Sequence, residues 1–511
     1  LPGVCLYNYL SHLDNGVTRP GSWLKLSAPL GVCTVTEKSY NYVGEIKDLN
    51  QITYTNNNCV CNAYLALTLR HQANTPPLNL MFIKRFEREL FKFLDDNKNL
   101  VIDNLLTREE VVNGYRGRWF MRYNKARLEL QKRPLSRKDF YNDCFVKADK
   151  EESIKKAARL IQYMKATGAL EMGRFTHAVE GEIYKTKDRF GTKIFGKGCN
   201  LHELADDFRK KISFFHDPVY ILLDATNFDA HVSMELTAAM TEFYVRLVKN
   251  PKHAQLVRWL WNHVLVSFGF SKLGLRYKTR GTVFSGRMDT GLFDGMTTFA
   301  MLSAYMRDSG ITKYSLSVNG DDSVTIIERA DFGNLLKMDY FLNFGFVMKF
   351  EWTDDFSKMD YCQTRPVETD YGWMMARGPE RMLRRSGWSV KFFGKKFYKS
   401  YIKSLGLGEM AINYACPIGY KLGKLMYNAG GGAKLLPVDR KSYISYTKQK
   451  YWQVIDNPTI SMPTRLSYQA AWGITPEEQI RIEKELVINL TPYVTKQQQW
   501  EYERILSNRL I

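Results

Sequence analysis

Three aspartates in two short stretches carry the chemistry this sequence can support. Tyr314 to Ile327 reads Tyr-Ser-Leu-Ser-Val-Asn-Gly-Asp-Asp-Ser-Val-Thr-Ile-Ile. Its β-prone arms, Tyr314 to Val318 and Ser323 to Ile327, flank Asn319-Gly320, a dipeptide that favours the positive φ angles of tight hairpins. A hairpin here pushes Asp321 and Asp322 out together at its tip. Two carboxylates about 4 Å apart repel by about 1 kcal/mol in water and about 4 kcal/mol in a surface cleft. A divalent cation removes that cost, and Mg²⁺ favours one or two carboxylates plus substrate phosphates over a full protein cage. Upstream, Val219 to Asp229 opens with an apolar run that predicts a buried strand ending on Asp224. An acid at the mouth of a buried strand, beside acids on a hairpin, meets the requirement of a two-metal phosphoryl-transfer site. Asp229 follows about one helical turn later, near the metals but off them. Gly-Asp-Asp alone is equally a polar turn; the two stretches together carry the argument.

Such a site needs a polyanionic substrate, and the charge of the chain supplies the match. With 73 Lys+Arg against 53 Asp+Glu in 511 residues, the net charge is +20. That excess points to nucleic acid or an anionic membrane surface. It is densest between residues 111 and 165, from Tyr115-Arg116-Gly117-Arg118 through Arg122, then Phe145-Val146-Lys147 and Lys155-Lys156 to Arg159. Tyr115, Trp119, Phe120 and Tyr123 interleave with the cations, a pattern suited to gripping both backbone and bases of a strand.

The remaining composition narrows the class. At 45% hydrophobic and 14% aromatic the chain is globular, and its length suggests several units. Eight cysteines, Cys33 among them, are scattered without a C-x-x-C pair, which favours a reducing compartment. Cys59, Cys61 and His71 are at most half of a zinc site. No apolar run reaches transmembrane length. The chain begins at Leu1 without Met or signal peptide, as expected of a fragment of a longer translation product or a processed chain.

Around the acids, periodicity predicts helices over Leu78 to Leu94, Val232 to Trp261 and Phe332 to Leu342, the last capped by Asp331. A β-ribbon with Gly269, Gly274 and Gly281 is expected over residues 268 to 284. Ser285-Gly286-Arg287-Met288-Asp289-Thr290 then opens an apolar helix to Arg307, its small hydroxyl residues able to approach a sugar or simply to cap the helix. Phe344 to Phe350 reads as a strand, and Lys358 to Pro366 as another strand or a turn. From Arg377 onward the chain is basic and irregular, with Arg381, Arg384, Arg385 and Lys391, before turning helical.

The order of these motifs resembles the RNA-dependent RNA polymerases of positive-strand RNA viruses, most closely the tombusvirus-like group. A basic Phe-Val-Lys segment with Arg159 is followed by Asp224-x-x-x-x-Asp229, Ser285-Gly286 with Thr290, Gly320-Asp321-Asp322 and Tyr361-Cys362-Gln363. The likeness runs from about Gly114 to Arg385 and includes Glu171 to Phe175 and Gly196 to Asn200. It implies an α+β right-hand fold with an antiparallel palm sheet flanked by helices. The implied units are an N-terminal extension or fingertips (1–75), fingers (76–200), palm (201–250), a fingers insertion (251–284), the second palm part (285–376) and thumb (377–511). It further implies that Asp224 and Asp321 hold Mg²⁺, for which Mn²⁺ can substitute, with Asp322 assisting. Lys147 and Arg159 would meet the incoming ribonucleoside triphosphate. Asp229, Ser285 and Thr290 would sense the ribose 2′-hydroxyl, and Lys349, with Lys358 a weaker match, would protonate pyrophosphate. Tyr361, Cys362 and Gln363 would grip the product strand, while Tyr115, Arg116, Arg118, Arg122 and Gly286 belong with RNA binding.

Two positions depart from that pattern. Asp294 stands where the sugar-sensing helix usually has Asn, and Arg287 where the group usually has an acid. Two carboxylates cannot both accept the single proton of one hydroxyl, so Asp294 is expected to be turned aside or neutralised, with Arg287 a candidate for the latter. A reverse transcriptase shares the paired aspartates but would prefer a bulky gate at Asp229. A non-catalytic RNA-binding scaffold fits the charge but gives no reason for the acids. The implied partners are RNA template and product, ribonucleoside triphosphates, and viral or host replication proteins. The implied setting is the host cytoplasm in a replication complex, with membrane contact only indirect.

Overall fold

The computed structural model describes residues 3–10, 19–27, 30, 40–41, 43–45, 54–151, 155–386, 388–389, 395–436 and 456–489. Cys33 and Lys391 lie outside these. Two sheets organise the described chain. Their strands are β1 (Trp23–Leu26), β2 (Asn142–Val146), β3 (Leu160–Met164), β4 (Pro218–Ala225), β5 (Val266–Phe270), β6 (Leu275–Arg280), β7 (Tyr314–Asn319), β8 (Asp322–Glu328) and β9 (Met348–Thr353). The four-stranded sheet runs β7-β8-β4-β9 and is antiparallel throughout. The five-stranded sheet runs β1-β6-β5-β2-β3, with a parallel pairing only between β5 and β2. Mixed helix with antiparallel sheet is the α+β class expected.

β4 is central because both of its faces are buried. Val219, Ile221 and Leu223 point into the largest core, and Tyr220 into a second one, as the two-residue period of a strand requires. The large core is closed by helices Leu80–Asp96, Met234–Arg246 and Thr290–Asp308. Thr290–Asp308 is apolar nearly all round and buried along most of its length, the mark of a helix with neighbours on every side. The second core packs helix Leu201–Ile212 and Met359, Tyr361 and Met375 against the opposite face of the sheet.

Several local expectations shift. Val232 to Trp261 is two helices, Met234–Arg246 and Pro251–Asn262. Pro251 has no N–H to continue the first and instead starts the second at its N1 position, with Asn250 capping. Phe332 to Leu342 forms 3₁₀ turns, Arg329–Asn334 and Met338–Phe344; Asp331 lies inside the first and caps nothing. Gly333-Asn334, weak helix formers both, interrupts the segment. The strand expected at Phe344 begins at Met348, after Gly345 turns the chain at φ +85°. Lys358 to Pro366 is a turn leading into strand Thr364–Thr369. The β-ribbon lies where expected, with Gly274 and Gly281 both at positive φ.

Candidate active site

The hairpin turn differs by one residue from the sequence expectation. Asn319 ends β7 and pairs with Asp322, so the two turn residues are Gly320 and Asp321. Gly320 has φ +70° and Asp321 does not share its positive φ, the pattern of a type II′ turn with Gly at its first position. Asp322 thus lies on β8, on the face of Val324 and Ile326. Across the sheet, Ser323 pairs with Leu223, which sets Asp224 at the adjacent strand end on that same face. From the other side, Lys349 of β9 is registered directly on Asp224, with Nζ 3.1 Å from Oδ2. Thr298 supports the turn from below, its hydroxyl donating to the Gly320 carbonyl at 2.8 Å.

A cavity of about 950 Å³ opens over these acids, lined by Asp224, Asp321 and Lys349, by Lys147 and Arg159, and by Asp229, Ser285, Thr290 and Asp294. Residues from six separate sequence stretches therefore meet, as the motif order implied. Gln363 also lines the cavity. Tyr361 is instead buried in the second core. Cys362 accepts a hydrogen bond from Asn319 at 3.2 Å and lies within reach of Asp322, so the Tyr361-Cys362-Gln363 turn is tied to the hairpin. Both Cys362 and Gln363 sit at positive φ, an arrangement costly for non-glycine residues and frequent at functional sites.

The electrostatics report crowding of negative charge. Loss of water and the neighbouring Asp321 and Asp224 raise Asp322 to about 6. Asp321 is also raised, first by the cavity walls that strip its water and then by Asp224, with Arg159 opposing. Among the described residues no three acid, histidine or cysteine side chains cluster tightly enough to hold a metal by themselves. The arrangement fits Mg²⁺ held by one or two carboxylates and completed by phosphate oxygens.

The cationic side has an organiser that the sequence reading missed. Arg159 donates from Nε to Asp149 at 2.7 Å, and Lys147 Nζ lies 3.4 Å from the other oxygen of the same carboxylate. Arg70, Asn227, Arg381 and Arg385 also line the cavity. Of these only the arginines near residue 381 carried a sequence signal, a basic run; Asn227 is visible only through its left-handed φ of 49°.

Beside the acids, Asp294 is buried and within hydrogen-bonding reach of Asp229. Desolvation and then Asp321 push Asp229 up to about 6, with Arg70 and Arg287 opposing. Desolvation and then Asp229 push Asp294 well above the usual carboxylate range. Arg287 does not neutralise Asp294 by contact: its buried guanidinium is engaged by Asp289 at 2.5 Å. Asp289 in turn accepts from Trp261 Nε1 at 2.8 Å. The arginine at a usually acidic position is thus balanced by an acid two residues on. Ser285 and Thr290 donate to backbone carbonyls of Leu160 and Phe284. Gly286 is a packing joint, since a Cβ there would lie 2.4 Å from the Gln162 carbonyl.

Elsewhere, His71 is fully buried and its pKa is depressed by desolvation, then by Arg70 and Arg19, to about 3. Cys59 caps helix Val60–Ala66. Tyr115 hydrogen-bonds His177 at 2.9 Å, Arg116 donates to the carbonyls of Asn113 and Tyr115, and Arg118 and Arg122 stack near Trp119. None of these four lines the cavity.

Residues 34–490 match the model of the family described as viral RNA dependent RNA polymerase. The chain belongs to this family. It is 31% identical over 415 residues to the RNA-directed RNA polymerase of Tobacco necrosis virus (strain A), covering 78% of this chain and 56% of that protein. It is 30% identical over 387 residues to that of Cymbidium ringspot virus, covering 73% and 46%. With that of Tomato bushy stunt virus (strain Cherry) it shares 29% over 384 residues, again 73% and 46%. The chain therefore spans about half the length of these relatives.

Proposed function

We propose that this chain carries template-directed RNA synthesis from ribonucleoside triphosphates, in a right-hand arrangement. The four-stranded sheet is its palm, the five-stranded sheet belongs to its fingers, and the helical C-terminal part is its thumb. The observation that carries the reading is the convergence, in one cavity, of Asp224 and Asp321 with Lys147 and Arg159 on one side and Asp229, Ser285, Thr290 and Asp294 on the other. Asp224, Asp321 and Asp322 would hold Mg²⁺ or Mn²⁺, which when bound lowers the pKa of an attacking hydroxyl and offsets charge on departing phosphate. Arg159 and Lys147 leave Asp149 to meet the triphosphate, a guanidinium being able to grip phosphate oxygens in pairs. Lys349 exchanges its ion pair with Asp224 for the leaving pyrophosphate and delivers a proton to it. Asp229, with its neighbours Ser285 and Thr290, accepts from the ribose 2′-hydroxyl. Genome replication with viral or host partners, in cytoplasmic complexes at membranes, is the setting this activity fits; among the described residues no helix is long and apolar enough to cross a membrane.

Primer extension on an RNA template tests the reading against a non-catalytic RNA-binding scaffold. Asp224→Ala and Asp321→Ala should each abolish incorporation while RNA affinity persists, because affinity rests on distributed cations and turnover on several kcal/mol of charge stabilisation at one point. Near-normal turnover by either variant would sink the metal-site assignment.

A further inference from the structure

Two segments near the start of the chain are knotted together at the edge of the cavity. Gly3–Val4 runs parallel to Tyr54–Asn56, with Gly3 opposite Thr55 and Val4 opposite Asn56. Asn62, fully buried, ties them: its side-chain amide donates to the Val4 carbonyl at 2.9 Å and to the Asn57 carbonyl at 3.0 Å. Its side-chain carbonyl accepts the Leu6 N–H at 2.6 Å. Two thiols sit in this knot, Cys5 directly after the first strand and Cys59 shortly after the second. Their sulfurs lie 3.9 Å apart, although the residues are 54 positions apart in sequence.

Burial is split between the two. Cys5 is buried and Cys59 half-buried, so one sulfur is open to a small oxidant while the other waits beside it, the division between an attacked and a resolving thiol. The Asn62 N–H donates to Cys59 Sγ at 3.5 Å and fixes where that sulfur points. A disulfide needs about 2.05 Å between sulfurs, a gap on the scale that side-chain rotation covers. The knot is also attached to the nucleotide side of the cavity. Tyr54 and Thr55 pair with Glu151 and Lys150, and the Asn58 side-chain carbonyl accepts the Val146 N–H at 2.8 Å. Those two attachments bracket Lys147 and Asp149. Leu10, downstream of Cys5, and Asn56, upstream of Cys59, both line the cavity.

We propose that Cys5 and Cys59 are a thiol-oxidation site, closed to a disulfide by hydrogen peroxide, which stiffens the stretch carrying Lys147 and Asp149. The Cys59 sulfur attacks one peroxide oxygen; the O–O bond breaks, Cys59 becomes a sulfenic acid and one water leaves. The Cys5 sulfur then attacks the sulfenic sulfur; the S–S bond forms, and the sulfenic oxygen departs as a second water with the Cys5 thiol proton. The two sulfurs together lose two electrons and the peroxide gains them. In a reducing compartment the dithiol is the resting form and such a disulfide is transient. Lys147 and Arg159 must part from Asp149 to meet a triphosphate, so a stiffened stretch binds nucleotide less well. That consequence rests on the polymerase reading; the oxidation site does not.

The test treats the full chain with a small excess of hydrogen peroxide and reads intact mass and peptide maps. The expected product has lost two hydrogens, carries a peptide joining the Cys5 and Cys59 segments, and reverts with dithiothreitol. Cys59→Ser should abolish the link. Cys5→Ser should abolish it too and leave Cys59 as a sulfenic acid that dimedone captures. In primer extension the oxidised chain should show KM for nucleotide raised several-fold with little change in RNA affinity, reversed by dithiothreitol and absent in both serine variants. Oxidation of other cysteines with no Cys5–Cys59 link, or a link through Cys61 instead, would overturn the site, and mapping the unaltered chain decides this even where a variant folds poorly. A disulfide that leaves KM unchanged, or a peroxide effect that persists in both serine variants, would overturn its coupling to the cavity. A reduced chain that forms the link on oxidation yet never extends a primer would count against the polymerase reading and leave the oxidation site standing.

Discussion

Asp294 turns a departure from the family pattern into a specific expectation. A protonated carboxyl presents one donor and one acceptor, as an amide does, and Asp294 is held beside Asp229 with its pKa pushed far up. We expect it to do the work of the usual Asn by keeping a proton. Asp294→Asn should therefore retain or improve incorporation, whereas Asp229→Ala should relax the preference for ribo- over deoxynucleotides; comparing both nucleotide types on both variants decides it. The pH dependence has a definite sign. Desolvation and then Asp229 hold Asp294 well above the about 3.9 of an unfolded aspartate. Stability is then lost as pH rises through that interval and is not regained above it. Asn does not titrate, so the melting advantage of Asp294→Asn should grow as pH rises from about 4, where an unfolded aspartate loses its proton. An advantage that shrinks with pH would exclude the shared proton. Asp149 offers a second residue-scale test, because among the described residues it holds Lys147 and Arg159 side by side. Arg159→Ala should impair nucleotide use far more than template affinity. Asp149→Asn should raise KM for nucleotide several-fold with little change in RNA binding, and an equal loss of both would move this cluster into the template path.

At the scale of elements, the site is a joint between two sheets. β3 of the five-stranded sheet touches the Ser285–Thr290 loop through Gly286, whose N–H donates to the Gln162 carbonyl at 3.0 Å. No side chain fits there without moving backbone. Gly286→Ala should cost about 1–3 kcal/mol, seen as a lower melting temperature, and should depress incorporation beyond what that loss explains. A variant as stable and as active as the parent would show that the joint yields freely. The four-stranded sheet is braced from behind by Lys211, fully buried, which donates to Thr192, the Lys193 carbonyl, Ser315 and the Leu316 carbonyl. A buried ammonium is tolerable only when so satisfied, and here it fastens helix Leu201–Ile212 to the strand that leads into Gly320-Asp321.

For the whole molecule, the net charge of +20 predicts RNA binding that falls steeply with salt. Neutralising Arg116, Arg118 and Arg122 together should lower the slope by about 0.7 for each phosphate these arginines no longer neutralise, measured on single-stranded RNA between low and moderate salt. An unchanged slope would assign these arginines to solvated surface, the side on which the backbone hydrogen bonds of Arg116 already place that residue's guanidinium.

What the sequence determined by itself was local and periodic. The apolar run before Asp224, the Gly320 turn between β-prone arms and the apolar helix after Thr290 are each dictated by neighbouring residues, and the motif order was enough to indicate the family. What it left open depended on contacts distant along the chain. Asp149, Arg70 and Arg381 are ordinary charges until folding brings them to one cavity or its rim. The partner of Arg287 lies only two residues away, yet its burial is set by Trp261 and Tyr244 from other helices. The break at Pro251 was legible and misread; for Asp294 the sequence indicated only that it should be turned aside or neutralised, with Arg287 the candidate and not burial beside Asp229. A carboxyl keeps its proton in response to desolvation and neighbouring charge, and neither exists until Asp229 and Asp294, far apart along the chain, share one buried pocket.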